Sequence, residues 1–281
     1  MRKPGKSDYG VPKAYHPIAL LNTIGKLLAA IVTEDIVYMD EKHHLLLANH
    51  FGERPGRTTT DSMHLVVNKI KDAWRHHKVM VMLFLDIEGA FPNAATDCLL
   101  HNLWKRQILE EYVLFITRML KDHHTKLKFD DYKSDWVNID NGIGQGDPLS
   151  MILYLFYNAD LLDVVTSKSQ TAVAYVDDAN LYVEGKTYEE AYKSLGDMLL
   201  KQGGARDWTH LHNSRFEKSK FAVVCFSRRR VPDPLCHGKT IPEPRPAFIY
   251  EGVHIEPQYS HKFLGVHFDQ DYDGAYRWRI Q

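Results

Sequence analysis

The segment Tyr175-Val176-Asp177-Asp178 constrains this chain more than any other. It lies in the middle of the apolar run Ala172–Val183. Strand-forming Thr171, Val173 and Tyr175 stand before it, and Leu181, Tyr182 and Val183 after it. That pattern predicts a hairpin carrying two adjacent carboxylates at its tip. Held side by side on an apolar hairpin, the two charges repel and lose hydration, at a cost of several kcal/mol unless a cation offsets it. A second apolar strand, Val79–Leu85, also runs into a carboxylate, Asp86. A divalent metal is the economical explanation for both. Each motif alone has a plainer role, because an aspartate after a strand often caps the next helix and an Asp-Asp pair often occupies a turn. Their joint occurrence, with the loop Gly144-Gln145-Gly146 between them in chain order, favours the metal.

The 281 residues allow one large domain or two small ones. No apolar stretch is long enough to span a bilayer, so no membrane partner is expected. The basic Met1–Lys6 is not followed by the apolar core of a signal peptide. Cys98, Cys225 and Cys236 are too few and too scattered for a disulfide framework or a zinc site, which makes a reduced, intracellular protein the default. A net charge of −1 counts mildly against a nucleic-acid-binding surface, although acidic residues elsewhere can mask a local basic groove. The histidine pairs His43-His44, His76-His77 and His123-His124 lack metal-ligand spacing and read as solvated surface.

Periodicity predicts helices over Asn22–Met39, Thr58–Trp74, Thr96–Arg106, Glu110–Lys121, Pro148–Val165 and Tyr188–Lys201. In the first of these, Ile24, Leu27, Leu28, Ile31 and Val32 form the expected buried stripe. In the fifth, Asp147-Pro148 is an expected helix start, with Met151, Ile152, Leu155, Phe156 and Leu162 as its buried side. Strands are expected at Val79–Leu85 and Phe221–Phe226, with hairpins around Asp177, near Phe248–Ile255, and from Lys126–Phe129 to Asp135–Ile139. Few, strongly apolar strands among helices point to an α+β fold, an antiparallel sheet with helices packed on one face.

Carboxylates from two strands, holding two Mg²⁺ ions roughly 3.5–4 Å apart, suit in-line phosphoryl transfer of the kind that joins nucleotides. One strand cannot surround two ions, and Mg²⁺ takes a few carboxylates together with water and phosphate oxygens. At this point the motifs resemble a family. Tyr15–Asn22 is similar to the first fingers motif of the reverse transcriptase domain of LINE-type, non-LTR retrotransposons, and Phe51–Thr59 to its Gly/Arg loop. Phe84-Leu85-Asp86-Ile87-Glu88-Gly89-Ala90-Phe91 resembles motif A, and Gly142–Ser150 motif B. Ala174–Asp178 resembles motif C, Ser219-Lys220 motif D, and Phe263-Leu264-Gly265-Val266 the primer-grip motif E. Each is weak alone, but seven in the right order is a strong match.

The resemblance implies a right-hand polymerase: fingers over 1–78, a palm over 79–270 and the start of a thumb over 271–281. It implies an RNA-directed DNA polymerase using an RNA template, a DNA primer and dNTPs. Asp86, Asp177, Asp178 and the Ile87 carbonyl would hold two Mg²⁺ (or Mn²⁺) ions. Phe91 would exclude a ribose 2′-hydroxyl, although an isolated phenylalanine reads as a core aromatic. Gln145 and Gly146 would lie near the template–dNTP pair, or form an ordinary turn. Lys220 would orient or protonate the pyrophosphate, or be a surface lysine. Arg54 and Arg57 would hold nucleic-acid or triphosphate phosphates, or sit in a solvated loop. Arg228-Arg229-Arg230 reads as a solvated strand end that could touch a duplex.

Three positions depart from the family pattern: His16 where arginine is usual, Glu53 where an aromatic is usual, and Pro92 where aspartate is common. By the same resemblance, the family's endonuclease and all but the start of its thumb are expected to lie outside these 281 residues. Two alternatives belong to other classes. One is a degenerate or domesticated copy that binds nucleic acid without catalysis. The other is an RNA-dependent RNA polymerase, which tends to carry Gly-Asp-Asp and a polar residue in place of Phe91.

Overall fold

Val79–Leu85 has no polar residue to turn toward solvent, and it forms a strand buried on both faces along its whole length. The rest of the sheet is built around it. The structure, a computed structural model, describes residues 2, 5, 7–11, 14, 15, 18–129 and 131–270. In chain order the elements are α1 (Thr23–His43), β1 (His50–Phe51), α2 (Thr59–Arg75), β2 (Val79–Leu85), α3 (Thr96–Lys105) and α4 (Glu110–Leu120). There follow β3 (His123–Thr125), β4 (Lys128–Phe129), β5 (Tyr132–Lys133), β6 (Val137–Ile139), α5 (Ser150–Leu162), β7 (Gln170–Tyr175) and β8 (Asp178–Gly185). The last group is α6 (Tyr188–Leu200), α7 (Ala205–Leu211), β9 (Ala222–Phe226), β10 (Arg230–Pro232), β11 (Thr240–Pro242), β12 (Phe248–Tyr250), β13 (Val253–Ile255), β14 (Ser260–Phe263) and β15 (Val266–Asp269). This is an α+β arrangement. No described helix is long and apolar enough to cross a membrane.

The chain forms two compact units, each made of two segments: Met1–Leu46 with Gly89–Asn158, and Leu47–Glu88 with the chain from Ala159 onward. The expected thumb start, 271–281, lies outside the described residues, as does His16.

The second unit holds a five-stranded sheet in the order β1-β7-β8-β2-β9. β7, β8, β2 and β9 pair antiparallel, and the two-residue β1 adds a parallel edge to β7. Met80, Met82 and Phe84 project from β2 into a core with Met63, Val66, Val67, Ile70 and Trp74 of α2, and with Phe263, Val266 and Phe268 of the β14–β15 hairpin. α2 starts as its sequence dictates. Thr58 and Asp61 form a reciprocal capping box that satisfies two otherwise orphaned amides. α6 packs against β8 and β2.

In the first unit, buried Asn102 on α3 donates to the carbonyls of Phe156 and Tyr157 in α5, at 3.2 and 3.0 Å. Tyr112 on α4 donates to Asp35 on α1 at 2.9 Å. Ile152 through Tyr157 are fully buried, so α5 is apolar all round its middle and has no single buried stripe as periodicity suggested. It begins at Ser150, with the Asp147 carboxylate accepting from the Leu149 amide at 3.0 Å.

Two expectations are corrected. α1 buries Ala29, Val32, Ile36 and Met39, while Ile24, Leu27, Leu28 and Ile31 are 81, 64, 46 and 50% exposed. Periodicity finds an apolar stripe without showing which stripe the core covers. The hairpin over 123–139 pairs β3 with β6 and β4 with β5, placing Phe129 opposite Tyr132. Strands β3, β5 and β6 are exposed or half-buried, with no buried face to specify register from sequence.

The α1 orientation gives a direct test by urea unfolding. Ile36→Ala should cost roughly 2–4 kcal/mol, whereas Leu27→Ala should change stability by less than about 0.5 kcal/mol. Equal losses would place Leu27 in a packed interface.

Candidate active site

The register of β2 against β8 pairs Val79 with Gly185 and Leu85 with Ala179. Continued by one residue, it places Asp86 opposite Asp178, positions whose Cβ atoms in an antiparallel pair lie about 4.5–5.5 Å apart. On the other side of β8, Tyr175 pairs with Asp178, leaving Val176 and Asp177 as a two-residue turn. Two distant segments thus deliver three carboxylates to one end of the sheet.

That turn is strained. Val176 has φ of 55°, a left-handed conformation that a β-branched residue rarely adopts. Its surroundings hold it there: the side chain is 2% exposed, and its amide donates to the Phe51 carbonyl at 3.2 Å. β1 reaches this position because the next residue is glycine. A Cβ on Gly52, whose own φ is +91°, would stand 2.7 Å from Val176 Cγ2. Gly52 was not singled out from sequence beyond its place in the Gly/Arg loop Phe51–Thr59, where no local signal points to Val176.

Asp86 is fixed through its backbone. Its carbonyl accepts from the Glu217 amide at 2.9 Å, and the Glu88 amide donates to the Arg215 carbonyl at 2.8 Å. These two bonds flank an antiparallel bridge between Ile87 and Phe216, and neither uses the Ile87 carbonyl. The turn of 3₁₀ helix at Lys218–Lys220 then returns Lys220, whose Nζ lies 2.8 Å from Asp86 Oδ2.

Desolvation raises the pKa of Asp178 to about 6, with the charges of Asp177 and Asp86 adding to the shift. Asp177 is raised as well, first by desolvation and then by Asp86, against a lowering hydrogen bond from its own amide. Both side chains reach solvent, but the protein packed around the tip strips part of their hydration. Solvent screening keeps the energetic weight of the shift modest. Among the described residues no three Asp, Glu, His or Cys groups are gathered as a ready ion cage. Asp86 is instead paired with Lys220, which supplies a positive charge at the one corner it can reach. The excess of negative charge at Asp178 and the all-oxygen donor set fit a hard divalent cation such as Mg²⁺.

The remaining expected site residues divide between the units. Phe91, in the first unit, is 6% exposed with its ring stacked on Tyr154 at 4.8 Å and 28°. In the same unit Gln145 is half-buried, and its carbonyl accepts from the Ala19 amide at 2.7 Å. Gly146 has φ of +97°, and a Cβ there would meet Ile18 Cγ2 at 3.2 Å. A Cβ on Gly144 would meet Ala19 Cβ at 2.9 Å. The close approach that these glycines permit is made by the chain's own residues 18–19. Pro92 is likewise enclosed, its carbonyl 2.6 Å from where a Gly142 Cβ would be.

Arg54, in the second unit, departs from both expected roles. It is 6% exposed and donates from one Nη to the carbonyls of Leu47 and His50 at 2.7 and 2.9 Å, so its guanidinium ties the loop together. Arg57 is half-buried and donates to the Ala48 carbonyl at 2.6 Å.

Comparison with known proteins bears on the same chain. Residues 1–268 match the profile of a family described as reverse transcriptase (RNA-dependent DNA polymerase). A probable RNA-directed DNA polymerase from transposon X-element of Drosophila melanogaster is 27% identical over 259 residues, 91% of this chain and 28% of that protein. The RNA-directed DNA polymerase from mobile element jockey of the same species is 25% identical over 275 residues, 96% of this chain and 28% of that protein. The chain therefore spans a little over a quarter of the length of these relatives. Among solved structures, an apo telomerase from Candida tropicalis aligns over 88% of this chain and 44% of its own, with a TM-score of 0.54 and 9% identity. A telomerase from Candida albicans, solved with a telomeric RNA fragment, aligns over 87% of this chain and 38% of its own, with a TM-score of 0.54 and 12% identity. At these identities the structural likeness concerns the fold.

The desolvation of Asp178, with the charges of Asp177 and Asp86 added to it, predicts a pH signature. An aspartate whose folded pKa is raised from 3.8 to about 6 costs stability. The cost is absent below about pH 4, grows as pH rises to about 6 and is constant above. With a chelator present, Asp178→Asn should therefore melt roughly 2 °C or more above the parent at pH 7. The advantage should vanish toward pH 4. Coincident melting curves at pH 7 would show that ionised Asp178 does not burden the fold.

Proposed function

The chain belongs to the reverse transcriptase (RNA-dependent DNA polymerase) family, and from that premise we propose that it is the fingers–palm portion of a retroelement RNA-directed DNA polymerase. The single observation that carries the proposal is the β2–β8 register, which sets Asp86 against the Asp177-Asp178 tip. The division into fingers over 1–78 and palm over 79–270 is part of the same proposal. So are the partners: an RNA template, a DNA primer and dNTPs.

The family generally uses divalent metal ions. Here Asp86, Asp177 and Asp178, with the Ile87 carbonyl, would hold two Mg²⁺ ions. When bound, the ions favour the ionised 3′-hydroxyl of the primer and neutralise charge on the phosphates. The reaction joins the primer 3′-oxygen to the α-phosphorus of a dNTP and breaks the bond to the pyrophosphate, which leaves. The chain's own residues set up the conditions. The Phe51 carbonyl holds the strained Val176 turn, with Gly52 leaving room for it, and the turn carries the two tip carboxylates. Lys220, paired with Asp86, is the candidate to orient or protonate the departing pyrophosphate. Phe91, held rigid by its stack on Tyr154, would act as a wall against a ribose 2′-hydroxyl. Arg57 is the candidate for phosphate contact in the Gly/Arg loop, and Gln145 with Gly146 for the template–dNTP pair.

Primer extension on poly(rA)/oligo(dT) with dTTP and Mg²⁺ tests the proposal. The parent chain should incorporate dTTP, and Asp177→Asn with Asp178→Asn should lower incorporation by about 10²–10³-fold or more, the scale seen when a preorganised electrostatic contact to the transition state is lost. Equal incorporation by both rejects the assignment. Hybrid binding without extension by either identifies a nucleic-acid-binding chain instead. The role of Phe91 has its own readout. Phe91→Ala should raise the use of rUTP relative to dTTP by about ten-fold or more, within the range that a shaped contact contributes to discrimination. An unchanged ratio would leave Phe91 as core packing only.

A further inference from the structure

At the end of the sheet opposite the carboxylates, the strand β9 runs out into Ser227 and then Arg228-Arg229-Arg230. Because Met80 pairs with Phe226, this basic run begins beside the start of β2. Six residues of strand separate Met80 from Asp86, or about 20 Å at roughly 3.3 Å per residue. Trp74, Arg228, Arg229, Arg230, Arg245 and Gln270 line a depression of about 200 Å³ there.

The arginines are held in place. Arg228 lies over the Trp74 ring, 4.1 Å from its centroid. Arg230 donates Nε to Thr240 Oγ1 at 2.9 Å and an Nη to the Thr240 carbonyl. Arg229 donates to the Lys186 carbonyl and stands 3.5 Å from Glu243. Arg245 donates to the Cys225 carbonyl at 3.3 Å. Carbonyls and an aromatic face orient a guanidinium without cancelling its charge. Among the described residues Arg228 and Arg230 make no ion pair with a carboxylate, and both are exposed. Like charges are gathered and pre-oriented around a hollow, which is the arrangement that bidentate phosphate recognition needs.

We propose that this arginine-lined depression binds the phosphate backbone of the template–primer duplex about six base pairs behind the growing end. The proposal rests on the reading that the primer terminus lies at Asp86 and Asp177-Asp178. Two considerations identify the ligand. The distance of about 20 Å is too great for the phosphates of a nucleotide reacting at the carboxylates. It is also about six steps of a double helix at 3.4 Å each, over which a duplex behaves as a rigid rod.

The test uses the full chain, chimeric RNA–DNA hairpins with stems of 4 or 12 base pairs, and fluorescence anisotropy without divalent metal. Arg228→Gln with Arg230→Gln should weaken binding of the 12-base-pair stem by about ten-fold. It should also reduce the slope of log affinity against log salt by about 1.8, the value for two phosphate contacts, and leave the 4-base-pair stem unaffected. Arg228→Lys with Arg230→Lys should restore the salt slope, because the charge is kept, but only part of the affinity, because the bidentate fork is lost, a split that misfolding would not produce. Unchanged binding of the long stem, or equal loss for both stems, overturns the proposal. So does displacement of the long stem by inorganic phosphate at matched ionic strength, which would make free phosphate the ligand. Parent and variant that differ as expected but extend no primer would sink the catalytic reading and leave this site standing. An active parent whose arginine variant binds the long stem unchanged would do the reverse.

Discussion

The repulsion among three carboxylates at one end of a sheet is the constraint on which the second unit depends. Asp178 and Asp86 face each other across β8 and β2, with Asp177 at the turn beside them; desolvation raises the cost of ionising Asp177 and Asp178, and the charge of Asp86 adds to it. Such a cluster persists only if the scaffold cannot relax. β2 is buried on both faces, and the backbone around Asp86 is bridged to residues 215–217. Val176 is held in a conformation it would otherwise avoid by a hydrogen bond from its amide to the Phe51 carbonyl, an approach for which glycine at position 52 leaves room. Strain and repulsion of this kind concentrate at functional sites, where surrounding packing over-determines them.

Charge is divided along the sheet. Carboxylates gather at the end where β2 stops, and arginines at the end where it starts, about 20 Å away. A net charge of −1 hides this arrangement completely, because summing over residues discards position. The mild argument against nucleic-acid binding drawn from composition therefore carries no weight once the fold separates the two signs. Lys220 belongs to the same account. Paired with Asp86, it shows how the site answers an excess of negative charge with the cation nearest to hand.

Some elements were legible in the sequence for clear physical reasons. Val79–Leu85 coincides with β2 because seven apolar residues in a row admit few alternatives. Thr58 and Asp61 announce the start of α2 through a local reciprocal bond that needs no tertiary partner. Other elements were not legible. Of the stripe identified on α1 only Val32 is buried, beside Ala29, Ile36 and Met39, since periodicity is a property of the helix and burial a property of what packs on it. Arg54 looked like a residue for ligands and is spent on the carbonyls of its own loop. β1 is two residues long and has no periodicity to detect, although it supports the turn that carries Asp177.

By itself the sequence determined that this chain has apolar strands ending in carboxylates, the order of its motifs, and hence its family. Those features are local, and each is written in a few consecutive residues. The tertiary structure alone decided which carboxylate faces which, that Gly52 leaves room for Val176, and that Arg245 joins Arg228-Arg229-Arg230 around one hollow. Strand register, the packing of a glycine against a distant turn and the gathering of charges all join residues far apart in the chain, and only folding brings such residues within reach of one another.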